Sequence, residues 1–444
     1  MLLQNWWYTT LLGTQDPIQS SLSADVKADV VVVGAGMAGL SAALRLSESG
    51  HDIVLIDRNI CGGSTTGKSA GFLTPDSELE LSQILRRFGV EGARHLWDVP
   101  VQGIELITST VRKYGLECDL QSQDSLFLAN DKSAVGDVRE EVAARLQLGY
   151  PVTEYSAAQV AAVIGSDRFH AGVRYSGTYG IDALRYSQGV KRVLLDRGVR
   201  IFESTEAHAI EGHTVRTHGG SVTAEKIIVC ADKLSPRFSR YAENASPAET
   251  FLTISAPLTD RDVKALFPGD VLQCWDSDLI YSYWRLTGDR RILLGGGSML
   301  STYVRHAVTS PRVAEHVVRK FRERFPALAD VEFLQYWPGL IDTTRDLFPT
   351  IVRDPQAPWV QFVLGCVGLP WAAFCGDFVG RHALDGEKQT DDILFHYFRP
   401  DRRFLMPLWT ERLLGKPLVF ALNNAWAKYY QVDTSWPRKK RGAR

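Results

Sequence analysis

The stretch Asp29-Val-Val-Val-Val-Gly34-Ala-Gly36-Met-Ala-Gly39-Leu40 decides the fold of this chain. Val30 to Val33 is β-branched throughout, the pattern of a parallel strand buried on both faces. Gly34, Ala35, Gly36, Met37, Ala38 and Gly39 then spell G-x-G-x-x-G where strand passes into helix. The first glycine permits the tight turn, the second lets backbone approach a pyrophosphate, and the third lets helix lie close on strand. Leu40, Ala43 and Leu44 give that helix an apolar face, and Gly50 is placed to end it. His51 to Ile56 reads as a second strand. Asp57, followed by Arg58, stands where an acidic side chain takes the ribose hydroxyls of an adenine dinucleotide.

Working outward, Cys61-Gly-Gly-Ser-Thr65-Thr66-Gly67-Lys68-Ser69-Ala70-Gly71-Phe-Leu73 is too rich in glycine and hydroxyls for a core. It suits a backbone nest around an extended ligand. Leu79 to Gly115 is helical, with Leu81, Ile84, Leu85 and Phe88 on one face and Ile104, Ile107 and Val111 on another. Ser125 to Ala129 reads as a strand, Lys132 to Leu148 and Val152 to Ile164 as helices, and Ala183 to Arg197 as another. Val199 to Glu203, His213 to His218 and Val222 to Ala224 follow as strands, and Ile227 to Cys230 as a strand returning to the first sheet. Leu252 to Ala256, Val271 to Trp275, Leu279 to Leu286 and Arg291 to Gly295 alternate as antiparallel strands. A helix spans Arg312 to Phe325, and Trp337-Pro338-Gly339 marks a sharp re-entry. Gln361 to Leu364, Gly365, Gly368 and the apolar helix from Trp371 repeat the strand–glycine–helix pattern. Trp6, Trp7 and Tyr8 are expected on the surface of the main domain.

At 444 residues the chain suits two intimately packed domains, and a net charge of −1 gives no footprint for nucleic acid. Cys61, Cys118, Cys230, Cys274, Cys366 and Cys375 have no metal spacing; free thiols in a reducing, cytoplasmic compartment are expected, with no metal. No secretory signal opens the sequence, and Gly, Pro370 and Asp377 argue against a membrane span over residues 360–380.

A simple nicotinamide dehydrogenase would follow its first βαβ unit promptly with more of the same. Here the glycine-rich turn at Gly365 returns only near the end, so the ligand touched by both is long. FAD fits: pyrophosphate at Gly34 to Gly39, ribose at Asp57, flavin between the Thr66–Gly71 loop and the turn from Gly365 through Gly368 to Leu369.

These blocks resemble the D-amino-acid oxidase superfamily of flavoproteins, which holds glycine oxidase, sarcosine oxidase and gamma-glutamylputrescine oxidase. Besides the dinucleotide block, Thr66 to Leu73 is similar to its Ser-Gly-Arg-Ser-Ala-Gly flavin loop. Trp337-Pro-Gly339-Leu with Asp346 and Pro349 is similar to its W-x-G block, and Val363 to Gly368 to its C-terminal flavin block. The resemblance implies an α/β fold in which a Rossmann-like FAD domain (1–84, 155–240, 335–394) carries an α+β substrate domain (85–154, 241–334) on a mixed, largely antiparallel sheet, with 395–444 as an extension. It also implies cofactor contacts at Thr65, Ala207 and Gly339. Some members place a carboxylate-clamping arginine two residues after the W-x-G glycine, where this chain has Ile341 and then Asp342. Members with covalent flavin attach it at positions that here are Gly339 and Lys68, so non-covalent FAD is implied. Asp232 stands where relatives keep glycine.

The implied activity is oxidation of a C–N bond in a small amine or amino-acid derivative, in the manner of the gamma-glutamylputrescine oxidase branch. Tyr281 and Tyr283 share a strand face with Arg285 and are candidates to orient substrate, with sheet packing as the alternative; Asp342 is a candidate anchor for a cationic amine or a turn residue. Thr74, Asp76 and Glu78 follow the flavin loop and border the pocket, or Asp76 or Ser77 caps a helix. The acceptor is a quinone, a protein or O2. With no lysine on the Leu252–Ala256 or Leu279–Leu286 strands, a dehydrogenase is favoured over an oxidase. An amino-acid oxidoreductase with another arginine clamp, a tRNA-modifying flavoenzyme and a non-catalytic flavoprotein subunit are the alternatives. The tail from Phe395, closing in Arg438-Lys-Lys-Arg441, reads as an arm packed on its own domain, or as a peripheral membrane contact at the cytoplasmic face.

Overall fold

A computed structural model of the protein describes residues 1–427 apart from 15, 77, 237, 298–301, 303–308, 384–391 and 403. Ser77, Tyr429 and the basic run Arg438 to Arg441 therefore lie outside the described residues. The fold is mixed α/β, built on two large sheets.

The first sheet grows from Val26–Val33, whose Val30, Val31 and Val32 are completely buried. It pairs in parallel with Ile53–Ile56 on one side and Ser221–Val229 on the other; Arg200–Phe202 and Ala357–Leu364 extend the parallel array. Sequence divided Ser221–Val229 into two strands, but it is continuous, with Thr223 and Glu225 facing solvent. Two helices cover one face. Met37–Leu46 lies under Leu369–His382, and a Cβ on Gly376 would fall 1.9 Å from the Ala38 carbonyl oxygen. Only glycine permits that approach.

Among the described residues the second sheet has nine strands, and Ala245–Ser255, third from one edge, is antiparallel to both Ile292–Gly296 and Phe333–Thr344. It includes Ala171–Tyr175 and Phe333–Thr344, which come from segments that sequence gave to the cofactor domain. The expected re-entry at Trp337-Pro338-Gly339 is instead the middle of the strand Phe333–Thr344. Pro338 stands beyond Leu2–Leu3, which pairs only with Gln335 and Tyr336, so it occupies an edge where proline is tolerated. The helix expected from Val152 begins at Ala157: Thr153–Ser156 is a strand against Ala171–Tyr175, and Ser156 with Gln159 forms the capping box that starts the helix. The strand expected from Leu279 begins at Tyr283. Ala207–Glu211 is a strand that sequence missed. The helix Leu81–Tyr114 kinks at Gly89, which accounts for its two apolar faces. No helix among the described residues is long and apolar enough to cross a membrane.

Candidate functional site

The glycine turn is shaped by its own neighbours. Gly34 has φ +99, and a Cβ there would lie 2.6 Å from the Cys230 carbonyl oxygen; one on Gly39 would lie 1.7 Å from that of Gly34. Gly36 is the N-cap of Met37–Leu46 and offers no side chain of its own to cap that end. Thr66 Oγ1 accepts from the Met37 amide at 2.9 Å, which brings the loop expected to hold flavin onto the helix expected to hold pyrophosphate. Asp57 accepts from the amides of Ala35 (2.6 Å) and Asn59 (2.7 Å). Burial pushes its carboxyl up to about 6, the two amides pull the other way, and Glu203 adds to the rise. Thr205 donates its amide to the Asp57 carbonyl at 2.7 Å, and Ala207 follows Thr205 by two residues. Arg58 is exposed.

The flavin loop, by contrast, is held from outside. Thr66–Lys68 is a short 3-10 turn, and Phe72–Leu73 pairs with Tyr179–Gly180. The Lys68 carbonyl accepts from Trp337 Nε1 (3.1 Å) and the Ala70 carbonyl from Arg285 Nε (2.8 Å). Thr65 Oγ1 donates to the Leu340 carbonyl (3.2 Å) and accepts from Lys233 Nζ (3.1 Å). Gly71 has φ +71, and a Cβ there would meet the Ile181 carbonyl oxygen at 1.9 Å. Sequence placed Trp7 on the surface; it is only 1% exposed, and its Nε1 donates to the Ser69 carbonyl at 2.8 Å.

A cavity of about 340 Å³ opens between the loop and the second sheet. Lys68 to Gly71 form one wall, Gly339 and Ile341 another, and Val367, Gly368 and Leu369 a third. That third wall is the start of Leu369–His382, where Gly368 (φ +93) is the N-cap with no side-chain bond, so a helix dipole faces the cavity. Phe72, Trp275, Tyr281 and Tyr283 supply the aromatic lining. The Tyr281 hydroxyl donates to Glu78 Oε1 at 3.1 Å, and the Tyr283 hydroxyl lies 2.9 Å from Thr250 Oγ1. Burial pushes both phenols up, Tyr283 to about 12.

The lining is also acidic: Asp76, Glu78, Glu80 and Glu249 all line the cavity, with Thr74 among them. Asp76 caps no helix. Its Oδ1 accepts from Arg145 (2.7 Å) and its Oδ2 from Thr74 (2.9 Å) and Tyr175. The N-cap of the following helix is Glu80, paired with Gln83 in a capping box. Trp275 donates to Glu80 at 3.0 Å; burial, with Asp76 and Glu141 adjacent, pushes the Glu80 carboxyl well above the usual range. Lys68 and Arg86 are the basic lining residues; burial, Lys233 and Arg58 pull the Lys68 ammonium down, against the effect of Glu249.

Two residues picked from sequence lie off this cavity. Arg285 is fully buried and donates to the carbonyls of Ala70 (2.8 Å), Ile181 (2.8 Å) and Leu286 (3.2 Å). It shares the Tyr283 side of the strand, as alternation requires, but it is spent on backbone; burial pulls its guanidinium down to about 10. Asp342 lies between Ile341 and Thr343, which do line the cavity, and alternation turns it away. Its Oδ2 accepts from the Lys233 amide at 2.5 Å, and it makes no pair with Arg345, which binds Glu411 at 2.6 Å. Burial and nearby Asp232 push the Asp342 carboxyl up to about 6.

The glycine cradle, the ribose acid and the long path from Gly36 to Gly368 fit FAD: the fold and site define a dinucleotide-binding flavoenzyme. A family model described as FAD dependent oxidoreductase matches residues 29–382, and the chain belongs to that family. It is 27% identical to the gamma-glutamylputrescine oxidoreductase of Escherichia coli over 402 residues, 87% of this chain and 91% of that one. It is 26% identical to the probable oxidoreductase OrdL of Haemophilus influenzae over 352 residues, 77% of this chain and 79% of that one. Among solved structures, glycine oxidase from Geobacillus kaustophilus superposes with a TM-score of 0.72 at 16% identity, covering 85% of this chain and 99% of that one. The chain is an FAD-dependent oxidoreductase of the amine- and amino-acid-oxidising family.

Proposed function

We propose that this enzyme oxidises a C–N bond in an amine that carries a second positive charge, a diamine or a derivative of one. The acidic lining carries the reading: Asp76, Glu78, Glu80 and Glu249 line a cavity whose basic lining residues are Lys68 and Arg86, the latter paired with Glu140. At Ile341 there is no guanidinium to take a substrate carboxylate, and Arg285 and Arg345 are committed to other partners. The similarity to gamma-glutamylputrescine oxidoreductase agrees with this choice.

FAD, when bound, supplies the hydride acceptor for the carbon next to nitrogen, and water hydrolyses the resulting imine. The chain's own part is positional. Glu78, oriented by the Tyr281 hydroxyl, holds the distal ammonium by a charge-assisted hydrogen bond. Phe72, Trp275 and Tyr283 pack on the carbon chain and exclude water. The cofactor is bound non-covalently, and a dehydrogenase is favoured over an oxidase: Lys264 sits exposed on Asp260–Leu266, away from the cavity.

The test is an anaerobic screen in which amines and α-amino acids are mixed with the enzyme and the loss of yellow flavin absorbance is followed. Dicationic amines should bleach the flavin and amino acids should not. Bleaching by amino acids alone would refute the reading, and mixing the reduced enzyme with air tells oxidase from dehydrogenase.

A further inference from the structure

We infer that residues 1–12 are a strap that holds the flavin loop in its cofactor-binding shape, with Asn5, Trp7 and Tyr8 as positioning residues. The segment runs from the second sheet to the helix Ala183–Asp196. Leu2–Leu3 pairs in parallel with Gln335 and Tyr336, and the Gln4 amide donates to the Tyr336 carbonyl at 3.0 Å. The next turn, Trp6–Leu11, lies on the flavin loop, and Thr10 Oγ1 donates to Asp182 at 2.8 Å. Asp182 is itself the N-cap of Ala183–Asp196. The strap is therefore anchored at both ends.

Between those anchors, three consecutive polar contacts reach the loop. Asn5 Oδ1 accepts from the Trp7 amide (3.1 Å) to start the turn, while its Nδ2 donates to the Gly67 carbonyl (2.6 Å). Trp7 Nε1 takes the Ser69 carbonyl (2.8 Å), and the Tyr8 hydroxyl takes that of Gly63 (2.7 Å). Trp337 and Arg285 hold the Lys68 and Ala70 carbonyls from the sheet side, and the Trp7 and Trp337 rings meet edge to face at 6.4 Å. Five carbonyls of one short loop are thus fixed outward.

A trans peptide points its N–H opposite to its C=O. Holding the Ser69 and Ala70 carbonyls outward turns the amides of Ala70 and Gly71 toward the cavity that both residues line. Those amides are the groups a flavin ring edge would meet, so losing the strap frees the loop to rotate them away. An isolated loop this rich in glycine would sample many shapes, and each outside contact narrows them.

The test uses Tyr8→Phe, which keeps the ring and removes only the hydroxyl donor to Gly63, and Asn5→Ser, which keeps an N-cap acceptor and removes the donor to Gly67, alone and together. Flavin fluorescence gives the dissociation constant and release rate of FAD, and thermal melts are run on apoprotein and holoprotein. The expected result for the double variant is FAD affinity weakened about tenfold or more, by loss of two hydrogen bonds, with the apoprotein melt nearly unchanged. Unchanged FAD affinity overturns the proposal. So does an apoprotein destabilised as much as the holoprotein, which would make the contacts general packing. Substrate identity enters none of these readouts, so the outcome is independent of the amine reading.

Discussion

The turn from Gly34 to Gly39 and the loop from Cys61 to Leu73 do neighbouring jobs but are built in opposite ways. The turn is fixed by backbone crowding, chiefly from its own unit: the Gly34 carbonyl against Gly39, and the Cys230 carbonyl at the end of the adjoining strand against Gly34, leave space only for hydrogen. The loop has almost no regular structure, and its shape comes from Asn5, Trp7, Tyr8, Arg285 and Trp337, brought from widely separated parts of the chain. A locally determined element breaks when its own residues change. A remotely determined one breaks from a distance.

The largest effect should come from the turn. Gly36→Val should abolish FAD binding, since a Cβ there already lies 3.3 Å from Thr66 Oγ1 and its branches would fill the pyrophosphate space. A folded variant that purifies yellow would show the turn to be assigned wrongly. Next comes the remote support. Arg285→Met would leave the buried carbonyls of Ala70 and Ile181 without their donor, at a cost of about 2–4 kcal/mol in a thermal melt, with weakened FAD binding. If Arg285 instead touched substrate, stability would hold and KM would rise.

The smallest effect belongs to Asp342. Its carboxyl titrates near 6, above the unfolded value, so the folded state binds the proton more tightly. Its ionised form therefore costs stability that sets in as pH rises through about 4 to 6 and is fully present above. Asp342→Asn should raise the melting point at pH 8, by on the order of 1 kcal/mol, leave it unchanged at pH 4, and leave KM alone. A tenfold rise in KM for amines would return Asp342 to the substrate site.

The same contrast explains what could be read from sequence. Val30 to Val33, the three glycines and Asp57 are contiguous, and their chemistry is local, so sequence placed them together. Of the two cavity tyrosines, Tyr283 lies on the strand whose alternation pointed to it, whereas Tyr281 precedes that strand. Arg285 and Asp342 were picked on residue type and position along a strand, and neither feature reveals how deep a side chain ends. Trp7 carried no sequence signal beyond being one of two adjacent tryptophans, because its partner, the Ser69 carbonyl, is a backbone atom. Pro338 read as a break because its tolerance depends on a neighbouring strand, Leu2–Leu3, that stops short of it. In the extension, Trp409, Leu413 and Trp426 are at least half exposed while Val419 and Phe420 are completely buried, so that arm packs through one face only.

The acidic lining is the point on which the account turns, and a matched pair of substrates addresses it. Anaerobic flavin reduction would be followed with 1,4-diaminobutane and with n-butylamine, in wild type and in Glu78→Gln. Glu78 accepts from Tyr281 and lines the cavity, so the diamine should be preferred by roughly tenfold to a hundredfold, the worth of one charge-assisted hydrogen bond. The variant should lose most of that preference while still reducing with the monoamine. Equal rates for diamine and monoamine in wild type, or a preference untouched by Glu78→Gln, would contradict the assignment of this lining to a substrate ammonium.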